Sequence, residues 1–186
     1  MPNPVADALT FLSRPGLATV AFWLLLLVGV AVAVLAWRRE PGQRRGRHVG
    51  IALLRGAMGV MWWQQSLWKI PPDFAGLTYW MKQMAEHAWI PLQGRLVSDV
   101  VLPRIGVFGP LVYGVEVLIA VSLMLGVATR MGAALGAAMA ANLWLGLYSA
   151  PGEWPWTYGF LIIIQLLFVI DPPGRSLGVD ALRRGP

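Results

Sequence analysis

Five long apolar segments are the feature that most limits what this chain can fold into. The chain has 186 residues, of which 57% are hydrophobic and 13% are charged, whereas soluble domains average about 25% charged residues. Because lipid offers the backbone no hydrogen-bond partners, each segment is expected to form a helix. The predicted fold class is therefore all-α, a polytopic bundle of membrane helices. The predicted spans are residues 17–37, 49–68, 107–127, 131–149 and 154–170.

The basic residues predict how this bundle is oriented. Arginines cluster in alternate connections, which the positive-inside rule places in the cytoplasm. They are Arg38, Arg39, Arg44, Arg45 and Arg47 after the first span, Arg130 after the third, and Arg175, Arg183 and Arg184 in the tail. We therefore expect five spans with the N-terminus outside and the C-terminus cytoplasmic. The first segment is expected to be retained rather than cleaved, because its arginines follow the apolar run.

The long outer connection, residues 70–106, has the pattern of a surface helix. Apolar residues recur at helical spacing from Phe74 to Ala88, and polar residues such as Lys82 and Glu86 occupy the opposite face. This pattern predicts an amphipathic helix lying at the membrane surface and ending before Pro91. A shorter amphipathic piece is expected at residues 93–102.

Composition excludes several kinds of site. The chain has no cysteine and two histidines, His48 and His87. It therefore has no Cys-ligated zinc or iron–sulfur cluster, and no pair of histidines for an intramembrane haem. No flavin or dinucleotide loop is present, so the sequence implies no metal, haem or flavin. The net charge of +6 is assigned to lipid contact rather than nucleic acid, because the arginines flank the spans.

Two charged residues are the leading candidates for function. Glu116 lies in the middle of the third span, where insertion of a charge costs about 2.5–3.5 kcal/mol. It is either a proton-handling or ligand-binding group, and our candidate catalytic residue, or one half of a structural ion pair. Lys69 follows the second span. It either reaches the interface or lines an outer pocket together with Asp73 and a glutamine.

Other polar and aromatic residues are candidate ligand-binding groups. Adjacent residues point about 100° apart on a helix, so one of Gln64 and Gln65 is expected to face inward. Arg55 either reaches the cytoplasmic interface or anchors a facing helix or a substrate oxygen. Most tryptophans fall in the predicted outer half, which indicates either an uneven aromatic belt or an outer aromatic cavity. Trp62, Trp63, Trp156 and the acid Glu153 complete the candidate set.

From the second span onward, the chain resembles the DoxX/DoxD family of small four-helix membrane proteins, some of which are subunits of thiosulfate:quinone oxidoreductases. The similar stretches are LLRGAMGVMWWQQSLWKI, PPDFAGLTYWM, GVEVLIAVSLMLGVATR and EWPWTYGFLIIIQLLFVIDPPGRSLGVD. The resemblance implies a DoxX-like four-helix domain at residues 49–186, preceded at 1–48 by an extra span and a basic loop. It makes Arg55, Lys69, Glu116, Arg130 and the EWPWTY turn recurring polar features. It also implies a bacterial or archaeal cytoplasmic membrane.

Two functions remain open at this point. The first is a quinone-interacting subunit of a membrane redox complex, with quinone as the possible cofactor. Since the sequence supplies no electron carrier, any catalysis by this chain needs a partner. The second is a non-catalytic structural or assembly subunit of a larger respiratory or photosynthetic complex. Both predict other membrane subunits and the lipid bilayer as partners. A small transporter that uses Glu116 as its coupling acid is a third, less favoured alternative.

Overall fold

The computed structural model describes residues 3–183, and every regular element in that range is helical. The helices are α1 (Pro4–Ser13), α2 (Leu17–Arg39), α3 (Gly46–Ser66), α4 (Ala75–His87), α5 (Pro91–Leu96), α6 (Ile105–Leu125), α7 (Thr129–Gly146), α8 (Pro155–Ile170) and α9 (Val179–Leu182). Short turns of 3₁₀ helix occur at Pro41–Arg44, Leu67–Lys69, Leu102–Arg104 and Pro173–Arg175, and a π turn at Val97–Val101. The predicted all-α fold class is therefore confirmed.

The five predicted apolar segments coincide with α2, α3, α6, α7 and α8. Two helical stretches are long and apolar enough to cross a membrane, namely Leu17–Arg39 and Pro91–Leu125. The second is longer than predicted, because α5 runs through the π and 3₁₀ turns into α6. The helix α8 is apolar but has only 16 residues. Length and composition thus support two membrane-crossing helices, and a five-span topology stays a prediction.

The helix α4 has the predicted amphipathic character. Its residues Leu77, Met81 and Met84 are buried, whereas Lys82 and Glu86 are exposed. Met84 packs at Gly146, the last residue of α7, where a Cβ atom would collide with the methionine side chain. The helix α4 therefore lies across one end of the bundle with its apolar face inward.

Close packing of α7 depends on its small residues. A Cβ atom added to Gly132 would meet Ser122 of α6, and one added to Gly136 would meet Gln165 of α8. The two largest interfaces between helices join α7 to α8 and α3 to α6. The helix α2 packs mainly against α6, and only 6% of its most apolar 18-residue window is buried.

The C-terminal segment after α8 folds back on the opposite end of the bundle from α4. The carboxylate of Asp180 accepts hydrogen bonds from the backbone N–H groups of Ala128 (2.8 Å) and Thr129 (3.1 Å), which begin α7. Gln43 bonds to the backbone of Arg175 and Leu177. The first-turn N–H groups of α7 thus obtain a side-chain acceptor from the tail.

Candidate functional site

A buried ion pair joins the turn after α3 to the helix α6. Lys69 Nζ donates to Glu116 Oε1, and the residues are 4% and 1% exposed. Lys69 lies in the 3₁₀ turn that follows α3, whereas Glu116 is in the middle of α6. The ammonium also lies 4.2 Å from the centre of the Trp68 ring. The sequence left open whether Glu116 has an ion-pair partner, and the structure identifies Lys69 as that partner.

The pair lines a cavity of about 490 Å³. Ligand pockets for small organic molecules typically enclose about 300–1,000 Å³. Five helices form the walls, α3, α4, α6, α7 and α8. The lining side chains are Met61, Trp62, Gln65, Trp68, Lys69, Leu77, Trp80, Met81, Met84, Val112, Glu116, Met139, Asn142, Leu143, Leu147, Glu153, Thr157, Tyr158 and Leu161. The cavity is thus mainly apolar and aromatic, with a few polar groups, which is the composition of a small-molecule site.

The polar groups of the cavity are held by their neighbours. Tyr158 donates its hydroxyl hydrogen to Glu153 Oε2 at 2.7 Å. Gln65 Oε1 accepts a hydrogen bond of 3.3 Å from Trp68 Nε1, which leaves the amide N–H₂ group of Gln65 available. Asn142 Oδ1 accepts from Gln93 at 3.0 Å. These bonds fix side-chain directions, so the cavity offers a defined set of donors and acceptors.

Two buried polar atoms on cavity-lining residues have no hydrogen-bond partner, Trp62 Nε1 and Glu116 Oε2. Buried polar atoms in native proteins are nearly always paired with protein, water or ligand. One of these atoms is a donor and the other an acceptor. Both atoms are therefore buried within the wall of the cavity without a partner among the described residues.

The structure brings five of the predicted site residues to this cavity: Glu116, Lys69, Gln65, Trp62 and Glu153. The others lie elsewhere. Gln64 and Gln65 are both exposed, and only Gln65 lines the cavity. Trp63 packs against Phe22 of α2, with ring centres 6.3 Å apart. Trp156 is 61% exposed and does not line the cavity.

Arg55 is also remote from the cavity. It lies 14 residues before Lys69 along α3 and the following turn, which corresponds to about 21 Å of helix. Its guanidinium donates to the backbone oxygens of Leu123, Met124 (3.1 Å) and Leu177 (3.4 Å). The first two are among the last carbonyls of α6, where the helix dipole favours a cation. Of the interpretations left open for Arg55, the geometry matches the anchor for a facing helix.

Several lining residues could not be found from the sequence alone. Trp80 and Met81 come from α4, Met139 from α7, and Thr157 and Tyr158 from α8. The amphipathic pattern of α4 was visible, but it did not identify the helices that the apolar face would meet. Thr157 and Tyr158 are, however, the last two residues of the EWPWTY stretch that drew attention to Glu153, and this was the available signal for them.

The site could also be identified by a group of metal ligands or by similarity to a known protein, and neither is found for the described residues. Within residues 3–183, no group of three or more His, Cys, Asp or Glu side chains is placed to hold a metal ion. Comparison of the chain with protein-family models, with curated proteins and with solved structures gives no match.

Proposed function

We propose that this chain is a five-span integral membrane protein of the DoxX/DoxD type that binds a quinone as a subunit of a membrane redox complex. The observation that carries the proposal is the aromatic cavity with the Lys69–Glu116 pair in its wall. In the proposed topology the cavity lies in the outer half of the bilayer, beneath α4, and the arginine-rich connections are cytoplasmic.

The exterior of the bundle supports placement in a membrane. The helices α2, α6 and α8 expose large apolar side chains along their length, including Leu27 on α2, Leu118 on α6 and Ile163 on α8. In water such surfaces would favour association, whereas in lipid they are solvated. The Lys69–Glu116 pair is then shielded from both lipid and water by the bundle itself.

The cavity supplies what a quinone ring needs. Trp62, Trp68 and Trp80 offer aromatic surface, and Lys69 and the free amide hydrogens of Gln65 can donate to the quinone carbonyl oxygens. Reduction of a quinone to a quinol takes up two electrons and two protons. Lys69 and Glu116 are placed to exchange protons with the bound ring, and the electrons come from a partner subunit or a second bound substrate.

A non-catalytic structural subunit is the second candidate, and one observation favours it. Most residues of the helix α2 are exposed, and 6% of the residues in its most apolar window are buried. A helix so exposed is suited to packing against another membrane protein. In that case the cavity is filled by lipid or by a side chain of the neighbouring subunit.

A binding titration with a matched pair of variants tests the proposal. The purified chain is titrated with a short-tailed quinone, and quenching of tryptophan fluorescence gives the affinity. Gln65→Leu removes a cavity donor, whereas Gln64→Leu changes its neighbour outside the cavity. One hydrogen bond contributes about 0.5–1.5 kcal/mol, so Gln65→Leu should weaken binding about 2–13-fold. Gln64→Leu should not change it. Absence of saturable quenching, or equal effects of both variants, would reject the site.

A further inference from the structure

A second cavity, of about 370 Å³, separates α2 from α3. The α3 wall is a helical stripe that runs from Val49 to Val60, about 16 Å along the axis. The α2 wall runs from Leu26 to Ala33, and Met124, Arg55 and Leu177 close the inner side. Apart from Arg55 the walls are apolar, and several residues are small: Gly29, Ala33, Ala52, Gly56 and Ala57. We call this cavity the α2–α3 groove.

The groove exists because α2 is held to the bundle through α6 rather than α3. Gly29 of α2 approaches the backbone of Met124 so closely that an added Cβ atom would lie 3.0 Å from its carbonyl oxygen. At Gly56 of α3, by contrast, an added Cβ atom would meet nothing within 4 Å. At Gly56 the open space therefore lies on the α3 side of the groove.

Positive charge lies in the wall of this groove and beyond one of its ends. Arg55 is 3% exposed, and no carboxylate of residues 3–183 lies within ion-pair distance of it, although Asp180 interacts with it at longer range. Its Nε atom has no hydrogen-bond partner. Three exposed arginines near that end have no side-chain partner in the described part of the chain: Arg38 and Arg39, the last residues of α2, and Arg45, which precedes α3.

We infer that the α2–α3 groove is a binding site for an anionic phospholipid. An acyl chain lies along the stripe from Val60 to Val49, and the phosphate lies beyond Val49, near Arg45 and the last residues of α2. The apolar walls match the chain, and the exposed arginines, which have no ion-pair partner among residues 3–183, match the phosphate. The bound lipid fills the gap and fastens α2 to α3. This inference requires the membrane placement proposed above, but it does not depend on the quinone.

The test uses the delipidated full-length chain in a mild, uncharged detergent. Its thermal unfolding is followed with added phosphatidylglycerol, or with phosphatidylcholine of identical acyl chains. At about 100-fold excess over its Kd, a ligand specific for the folded state should raise the Tm of a chain of this size by about 5–10 °C. We expect this rise with phosphatidylglycerol, and a smaller rise with phosphatidylcholine. Native mass spectrometry should retain the anionic lipid preferentially.

Two leucine substitutions locate the site. Gly56→Leu fills the groove, whereas Gly50→Leu is made on an exposed face of the same helix that does not line it. An added Cβ atom meets nothing within 4 Å at either glycine, so both variants are expected to fold. Gly56→Leu should lose the shift caused by phosphatidylglycerol, and Gly50→Leu should keep it. The inference is overturned if the two lipids act equally, if neither shifts the Tm, or if Gly56→Leu responds like wild type.

Discussion

Removing the negative charge of the Lys69–Glu116 pair should destabilise the bundle substantially. Both residues are buried, and in the described structure Glu116 is the only acid within ion-pair distance of Lys69. Breaking such a pair on one side typically costs about 3–5 kcal/mol, because an uncompensated charge remains buried. In Glu116→Gln the amide oxygen can still accept from Lys69, so we expect the lower end, about 3 kcal/mol. For a chain of this size, this lowers Tm by about 6–12 °C.

The assay is thermal unfolding in detergent of wild type, Glu116→Gln, Lys69→Met and the double variant. The double variant should recover most of the lost stability, since neither charge is left alone. Glu153→Gln is the matched control. It neutralises another acid of the same cavity, one that has a tyrosine rather than a cation as its partner, and should cost less than about 1.5 kcal/mol.

Two results would refute this reasoning. One is a Glu116→Gln variant whose Tm differs from wild type no more than that of Glu153→Gln. The other is a double variant that loses the sum of the two single losses, because independent sites add whereas a coupled pair does not. Quinone-linked turnover tests the further role of Glu116, and unchanged turnover in Glu116→Gln would exclude a proton relay through this carboxylate.

Two other predictions concern packing and capping. Gly136→Ala should destabilise the fold by about 1–3 kcal/mol, because the added Cβ atom collides with Gln165 at the interface of α7 with α8. Gly114→Ala, whose added Cβ atom lies in open space on α6, should not change the stability. The measurement is thermal unfolding of the two variants. Asp180→Ala should cost about 1–2 kcal/mol by removing the acceptor at the start of α7. Asp171→Ala, which breaks an exposed ion pair, should cost no more than about 1 kcal/mol, and equal losses would contradict the capping role.

The helices were predictable because their physical signals are local. Apolar length located α2, α3, α6, α7 and α8, and the spacing of Leu77, Met81 and Met84 identified the inward face of α4. The continuous run from α5 into α6 was missed, since Pro103 resembles a break in the sequence. Pro103 instead lies in the first turn of the 3₁₀ segment Leu102–Arg104, where its missing N–H costs little.

The candidate site was predictable only in part, because it depends on which helices meet. Glu116 was singled out because inserting a charged side chain into lipid costs free energy. Helical geometry indicated that only one of Gln64 and Gln65 would face inward, but it did not indicate which. The partnership of Glu116 with Lys69, however, requires α3 and α6 to pack antiparallel in one register. Nothing in the local sequence specifies that register. The same holds for Arg55, whose acceptors are backbone carbonyls of α6 and of the tail.

The central claim is that the cavity beside Lys69 and Glu116 holds a quinone. The most direct measurement is an intact mass spectrum of the native protein extracted with its partners, for wild type and two variants. Val112→Phe fills the cavity, and Leu111→Phe changes the adjacent exposed residue of α6. The account predicts one bound quinone per chain in wild type and Leu111→Phe, and none in Val112→Phe. A chain that occupies a fixed place in a larger complex with no quinone of its own, or a quinone retained equally by both variants, would contradict it.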